Sequence, residues 1–175
     1  MKRWIVLLCM LFALAEAHGP GSETFKRLEK IRPYAMTVGV GVTEIYVFVD
    51  PMCPRSRDYI TQISTSGKLQ RSHKYFIFLY RLPRFDSDRL IRTVYEASDP
   101  RSMMQKVMIE RCAPGDLKGE NGAYADKAVR TIAEVAEALQ ISKRPSLIIF
   151  KPGNPYCIAS EGAPDCADPA EKPRM

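Results

Sequence analysis

Three short apolar runs limit the folds open to this chain more than any other feature of its sequence. Each run is rich in β-branched and aromatic residues and lacks alternation of apolar with polar residues, as expected of strands buried on both faces. The runs are 43–49 (TEIYVFV), 74–80 (KYFIFLY) and 145–150 (PSLIIF). Helical patterns of apolar spacing flank and separate them, at 22–31, 55–64, 87–97, 100–111 and 124–139. Buried strands that alternate with helices predict an α/β fold, in which helices flank a central sheet.

The first 17 residues have the layout of a secretory signal. Lys2 and Arg3 precede an apolar run over 4–14, and Ala15 and Ala17 supply the small residues of a cleavage site. The run is too short to span a bilayer, and a buried N-terminal helix is the alternative interpretation. We therefore expect export to a bacterial periplasm, with no stable membrane anchor after cleavage. The predicted divisions are a signal peptide, an N-terminal helix and linker, one folded domain and a Pro-rich, largely irregular tail, at 1–17, 18–40, 41–152 and 153–175.

The charge pattern argues against nucleic acid as a partner. The 175 residues carry a formal charge of +6, and the basic side chains are scattered rather than gathered in a stripe with aromatic residues. A metal site is also disfavoured, because His18 and His73 are the only histidines and no ligand spacing supports one. Metal handling by Cys53 and Met52 is therefore a disfavoured third hypothesis. We expect no cofactor, although glutathione or another small thiol could act as a co-substrate.

The segment FVDPMCPRS, residues 48–56, places a cysteine where a predicted strand feeds a helix, which is where reactive groups lie in α/β sheets. A thiol at a helix N-terminus meets the positive end of the helix dipole, which favours the thiolate, the nucleophile of disulfide exchange. Pro54 stiffens the first helical turn without losing a hydrogen bond. Arg55 and Arg57 add positive charge. The segment predicts that Cys53 is a nucleophile; a buried structural cysteine is the alternative.

Three segments in the same order resemble the catalytic domain of the bacterial periplasmic disulfide isomerases of the thioredoxin superfamily. They are YVFVDPMCPRS, YFIFLYRLPRFDSD and KRPSLIIF, and the resemblance covers roughly residues 40–152. It implies a thioredoxin-like fold with a mixed central sheet, flanking helices and a helical insert. It also implies a cis bond before Pro145, beside the active cysteine, where the preceding residue offers its backbone to a substrate strand. By this resemblance the catalytic residues are Cys53, Pro54, Arg55, Ser56 and Pro145, and the substrate contacts are Met52, Arg144 and Pro145.

The sequence departs from that family in four places. Ser56 stands where the family has a second cysteine, so the internal disulfide of a dithiol motif cannot form. Arg144 replaces a small residue before the cis-proline, and we expect it to bring a charge to the substrate groove. Ala97 stands where one cysteine of a structural disulfide would fall, which leaves Cys112 without that partner. Residues 18–40 are too few for the isomerases' N-terminal dimerisation domain, so we expect a monomer.

These features predict a thiol–disulfide exchange enzyme with one nucleophilic cysteine, acting on exported proteins that carry disulfides or free thiols. A mixed disulfide at Cys53 would be released by a thiol of the client or by a small thiol, since a serine hydroxyl does not exchange with sulfur. The alternative is a non-catalytic thioredoxin-like module that binds peptides or acts as a chaperone, with an extended peptide added to the sheet. The Cys-Pro-x-Ser spacing, seen in some glutathione transferases, leaves glutathione-dependent chemistry as a further alternative.

The tail carries two more cysteines, Cys157 and Cys166, separated by eight residues. An oxidising compartment permits disulfides, and closing so short a loop stabilises a chain by about 2–3 kcal/mol in the chain-entropy model. The four cysteines that remain after signal cleavage allow three complete pairings. We predict a Cys157–Cys166 disulfide, with Cys53 and Cys112 free.

Overall fold

A computed structural model describes residues 20–112, 121–152 and 157–161 of the chain. The helices, α1 to α6, span Pro20–Ile31, Pro54–Thr65, Gly67–Ser72, Asp88–Glu96, Pro100–Met108 and Gly122–Ala138. The strands, β1 to β5, span Met36–Val38, Thr43–Val49, His73–Leu79, Ser146–Phe150 and Cys157–Glu161. A short 3₁₀ turn, Arg32–Tyr34, follows α1.

The five strands form one mixed sheet in the order β1-β3-β2-β4-β5. The central strands β2 and β3 are parallel along their whole length. Strand β4 runs antiparallel to β2, with Phe48 opposite Ser146 and Glu44 opposite Phe150. The start of β4 therefore lies beside the C-terminal end of β2, and the predicted reactive cysteine follows at this end of the sheet.

The last strand, β5, brings the chain back to that same end of the sheet. It runs antiparallel to β4, with Cys157 opposite Phe150 and Glu161 opposite Ser146. Cys157 is consequently at the far end of the sheet from the β2–α2 junction, whereas the chain leaves Glu161 at the near end.

The core of the protein lies around β2 and β3, whose last five residues are all buried. Aromatic rings pack between these two strands, with Tyr46 4.9 Å from Phe76 and Phe48 5.3 Å from Phe78 between ring centroids. Each such side chain contributes roughly 1.5–3 kcal/mol by its removal from water. The burial confirms that the apolar runs at 43–49 and 74–80, which lack alternation of apolar with polar residues, form central strands with both faces covered.

Every predicted helix and strand is present, with bounds that differ by at most three residues. Three further elements, β1, α3 and β5, were not predicted. Strand β1 lies in the stretch expected to be a linker, and it pairs with β3. Strand β5 lies in the tail, so the expectation of a largely irregular tail is wrong for residues 157–161. Both are short edge strands that depend on backbone pairing with a neighbour, which apolar periodicity does not reveal. The predicted signal peptide, 1–17, lies outside the described residues.

Candidate active site

A tight turn between β2 and α2 sets Cys53 at the start of a helix. The backbone N–H of Cys53 donates to the carbonyl of Asp50 at 3.1 Å and closes the turn. Cys53 is the N-cap residue of α2, with extended backbone angles, and Pro54 occupies the first helical turn. The carbonyl of Cys53 accepts the N–H of Arg57 at 3.1 Å, the first hydrogen bond of the helix. The cysteine thus stands at the positive end of the helix dipole, as the sequence predicted.

Asp50 holds this turn in place, and the sequence analysis did not assign it a role. Its carboxylate is fully buried. One oxygen accepts the N–H of Met52 at 2.7 Å, and the other accepts the N–H of Leu82 at 2.6 Å and the hydroxyl of Ser87 at 2.9 Å. Hydrogen bonds to an ionised group are among the stronger ones in proteins. Asp50 therefore ties the cysteine turn to the chain segment that leads into α4. The acidic residue directly before a proline in the FVDPMCPRS segment is the sequence feature from which this role of Asp50 could have been predicted.

Ser56 is part of the same buried network. Its hydroxyl oxygen accepts the backbone N–H of Asp50 at 3.2 Å, and the side chain is fully buried. The residue that replaces the second thiol of the family motif therefore satisfies a backbone donor of the turn. This hydrogen bond gives Ser56 a structural role, and its catalytic role stays a prediction.

The bond between Arg144 and Pro145 is cis, as predicted. The sulfur of Cys53 lies 3.8 Å from the carbonyl oxygen of Arg144. Leu82 and the partly buried Phe85 pack against Cys53 in a small cluster separate from the main core. The fold thus brings the cysteine, the cis-proline and the loop after β3 together.

The side chain of Arg144 does not bring a charge to an open groove, contrary to expectation. It is 1 % exposed. Its guanidinium lies 4.2 Å from the ring centroid of Tyr80 and donates to four backbone carbonyls. These belong to Tyr80, Arg81, Ile141 and Lys143, at 3.1, 3.3, 3.2 and 2.8 Å respectively. A planar fork of five donors suits such a set of acceptors. Arg144 therefore clamps the cis-proline loop to the loop after β3.

The remaining predicted residues differ in exposure. Arg55 is exposed, and Met52 is 38 % exposed beside the cysteine. Arg57 is partly buried and donates to the carbonyl of Pro51. Burial and the nearby Arg111 lower the pKa of Arg57, while Asp50 acts in the opposite direction. An arginine remains protonated at neutral pH even so, which leaves a positive charge next to the cysteine turn.

Cys53 is disulfide-bonded, which corrects the expectation that it is free. The side chain to which it is bonded is not among those that the structure describes. Cys112 is free, in agreement with the expectation that it lacks the family's structural partner. The predicted Cys157–Cys166 pairing also falls outside what the structure describes. Sequence spacing alone could not foresee a bond from Cys53, because a distant pairing depends on which chain ends the fold brings together.

The part of the chain that the structure describes contains no group of three or more His, Cys, Asp or Glu residues placed to hold a metal ion. Within the same residues, no helix is both long enough and apolar enough to cross a membrane.

The sequence matches no family model and no curated protein. Solved structures share the fold. DsbA2 of Pseudomonas aeruginosa superposes with a TM-score of 0.60 at 14% identity, covering 73% of this chain and 86% of that one. The catalytic domain of Proteus mirabilis ScsC gives 0.56 at 12% identity, with 78% and 88% covered. A disulfide interchange protein from Neisseria gonorrhoeae gives 0.54 at 15% identity, with 73% and 84% covered. The fold of this chain is thioredoxin-like, as predicted.

Proposed function

We propose that this protein catalyses thiol–disulfide exchange on exported proteins, with Cys53 as its nucleophile. The observation that carries the proposal is the meeting of Cys53, at the N-terminus of α2, with the carbonyl of Arg144 before a cis-proline, 3.8 Å from the sulfur. The thioredoxin-like fold supports it, because the neighbours include a disulfide interchange protein. The disulfide at Cys53 supports it as well, since this sulfur takes part in disulfide bonding.

The reaction starts from the reduced cysteine. The thiolate of Cys53 attacks one sulfur of a client disulfide, forms a mixed disulfide and expels the other client sulfur as a thiolate. Helix-dipole stabilisation and the charge of Arg57 favour the thiolate. A second client thiol can then attack the mixed disulfide, which rearranges the client's bonds with no net redox change. Attack by glutathione on the Cys53 sulfur instead expels the second client sulfur, which reduces the client, and a second glutathione then frees Cys53 and leaves with the first as glutathione disulfide. Ser56 cannot perform this release.

The residues around Cys53 position the client. An extended client segment would pair with the backbone before Pro145, as strand-adding ligands do. Met52 offers an exposed apolar surface beside it. Asp50 and Arg144 hold the two loops that carry Cys53 and Pro145, so both are positioning residues.

A refolding assay with a client of scrambled disulfides, in glutathione buffer, tests the proposal. Cys53→Ala should reduce the rate of disulfide rearrangement to that of buffer alone. Cys112→Ala is the matched control, because Cys112 is a free cysteine outside the site, and it should keep wild-type activity. Equal rates for wild type and Cys53→Ala would contradict the proposal.

Ser56→Cys supplies a second test. A thiol three residues after Cys53 should attack the Cys53 sulfur of a mixed disulfide and expel the client sulfur as a thiolate. The reduced variant should therefore reduce a client disulfide without added glutathione and end with a disulfide between positions 53 and 56. Unchanged dependence on glutathione would contradict the predicted role of position 56.

The burial of Cys53 favours one other function. A fully buried cysteine is difficult for a client disulfide to reach, which suits a peptide-binding or chaperone module. That function predicts that Cys53→Ala suppresses client aggregation as well as the wild type does, while neither rearranges disulfides.

We further propose that the protein is a periplasmic monomer. The N-terminal layout of charge, apolar run and small residues supports export. Periplasmic fractionation followed by intact-mass measurement should find a chain that lacks residues 1–17. Light scattering should give a monomer mass at every concentration, and a concentration-independent dimer would contradict it.

A further inference from the structure

We propose that the end of the protein opposite Cys53 docks on an acidic phospholipid surface. The docking face combines the loop between β1 and β2 with nearby cations of α3 and α5. Its residues are Val40, Val42, Lys68, Arg71 and Arg101. The attachment is peripheral and reversible, and it goes beyond the proposed function because it does not rest on the chemistry of Cys53.

Two valines of the β1–β2 loop project almost fully into water. Val40 is 83 % exposed and Val42 is 79 % exposed, more than any other large apolar side chain that the structure describes. A single exposed valine is ordinary in a protein surface, but two on one short loop form an apolar tip. Such a tip gains free energy when a partner removes it from water.

The loop is held in place from behind, so the valines stay outward. The N–H of Val40 donates to the carbonyl of Gln70 at 2.8 Å. The next N–H, that of Gly41, donates to the carbonyl of His73 at 3.2 Å. A Cβ on Gly41 would lie 2.0 Å from the backbone of Ser72, so only glycine allows this close approach. The loop cannot turn its valines inward without breaking these contacts with α3 and the start of β3.

A hollow of about 390 Å³ beside Val40 carries positive charge. Among the described residues that line it are two arginines, Arg71 and Arg101, and no acidic residue. Both arginines are exposed, one in the last turn of α3 and the other at the start of α5. A guanidinium binds phosphate through paired N–H donors. The hollow can therefore take a lipid phosphate while Val40 enters the apolar layer beside it.

The neighbouring charges leave the docking face positive. Lys68, exposed on α3, adds a third cation. Asp99, which caps α5 through a 3.1 Å hydrogen bond, offsets one of the three. Glu44, at the start of β2, is ion-paired with Arg32 at 2.7 Å. Each Lys or Arg close to an acidic lipid surface strengthens binding about 5-fold, so the net charge supplies about 25-fold.

A membrane fits the docking face better than a protein does. A stable protein interface buries about 800 Å² on each partner around an apolar core, whereas this face offers two valines among cations. A bilayer needs no complementary shape, since its acyl chains cover apolar side chains and its headgroups pair with cations. The seven residues of β2 place the docking face about 20 Å from the end of the strand that Cys53 follows. Docking therefore leaves the Cys53 site away from the lipid.

Cosedimentation of the mature protein with lipid vesicles tests the proposal. We expect binding to vesicles of equal parts phosphatidylglycerol and phosphatidylcholine, little binding to phosphatidylcholine alone, and weaker binding as the salt concentration rises. The double variant Arg71→Gln, Arg101→Gln should bind about 25-fold more weakly. The double variant Val40→Ser, Val42→Ser should lose about 10-fold or more. Urea unfolding should show that both variants keep wild-type stability, because these side chains are exposed.

The matched control is the double variant Lys127→Gln, Arg130→Gln, which removes the same charge from exposed positions of α6 and should bind nearly as well as the wild type. An equal loss of binding in this control would overturn the proposal, because net charge alone would then explain the binding. Binding of polyglutamate but not of acidic vesicles would identify an acidic protein as the partner and would also overturn it. Loss in the arginine variant with none in the valine variant would reduce the face to a phosphate site, which contradicts docking. None of these outcomes depends on the activity of Cys53 in refolding.

Discussion

Replacement of Arg144 by methionine tests whether this buried side chain holds the two loops of the site together. Methionine keeps much of the length and the apolar stem of arginine but removes the guanidinium. The four carbonyls of Tyr80, Arg81, Ile141 and Lys143 then lose this donor. Replacement of a buried ion by an apolar residue can be neutral when its partners are removed as well, but here the carbonyl acceptors remain.

The expected loss follows from these contacts. Taking about 1 kcal/mol for the net contribution of each hydrogen bond, their removal costs about 4 kcal/mol. Burial of the methionine side chain in place of a charged group returns about 1 kcal/mol. We therefore expect the free energy of unfolding to fall by about 3 kcal/mol. Arg144→Lys should recover only part of this loss, because an ammonium group cannot present the planar fork of donors.

Urea unfolding of the oxidised proteins, followed by circular dichroism, measures the effect. Arg130→Met is the matched control, since Arg130 lies on α6 away from the site and is exposed, and the same change there should alter stability by less than about 0.5 kcal/mol. A second readout is kcat/KM in the refolding assay, which should fall because the carbonyl before Pro145 shifts relative to Cys53. Equal stability of Arg144→Met and Arg130→Met would refute the clamp.

Three further predictions concern residues that support the fold and the site. Asp50→Asn should lower stability by about 1–3 kcal/mol, as an amide nitrogen must face a buried donor, and urea midpoints measure it. In Gly41→Ala, the added Cβ would lie 2.0 Å from the backbone of Ser72. The chain must shift, and thermal unfolding should show a loss of about 1–3 kcal/mol or more. Burial raises the pKa of Tyr95. The stabilisation from its neutral form is complete below about pH 10 and is lost as the pH rises through the raised value, so stability measured at increasing pH should differ in slope above about pH 10 between wild type and Tyr95→Phe, with the steeper fall in the wild type.

The sequence by itself determined the fold class and the local geometry of the candidate site. The apolar runs at 43–49, 74–80 and 145–150 can be stable only as strands covered on both faces, so they required helices around a sheet. The Asp-Pro-Met-Cys-Pro segment ended a strand and began a helix by local chemistry, since proline at a first helical turn loses nothing. Local sequence was enough for these features because neighbouring residues decide them.

Only the tertiary structure decided what the distant residues do. The sequence predicted that the charge of Arg144 would lie in the substrate groove. Its guanidinium is instead buried, because backbone carbonyls from two loops accept its hydrogen bonds. Asp50 joins the cysteine turn to the segment before α4, and the donors on that segment, Leu82 and Ser87, lie 32 and 37 residues away in the sequence. Local sequence therefore could not reveal these hydrogen bonds. The disulfide state of Cys53 follows the same rule. Contacts between residues far apart in sequence depend on which strand ends lie side by side in the sheet. That arrangement is decided only when the strands pair.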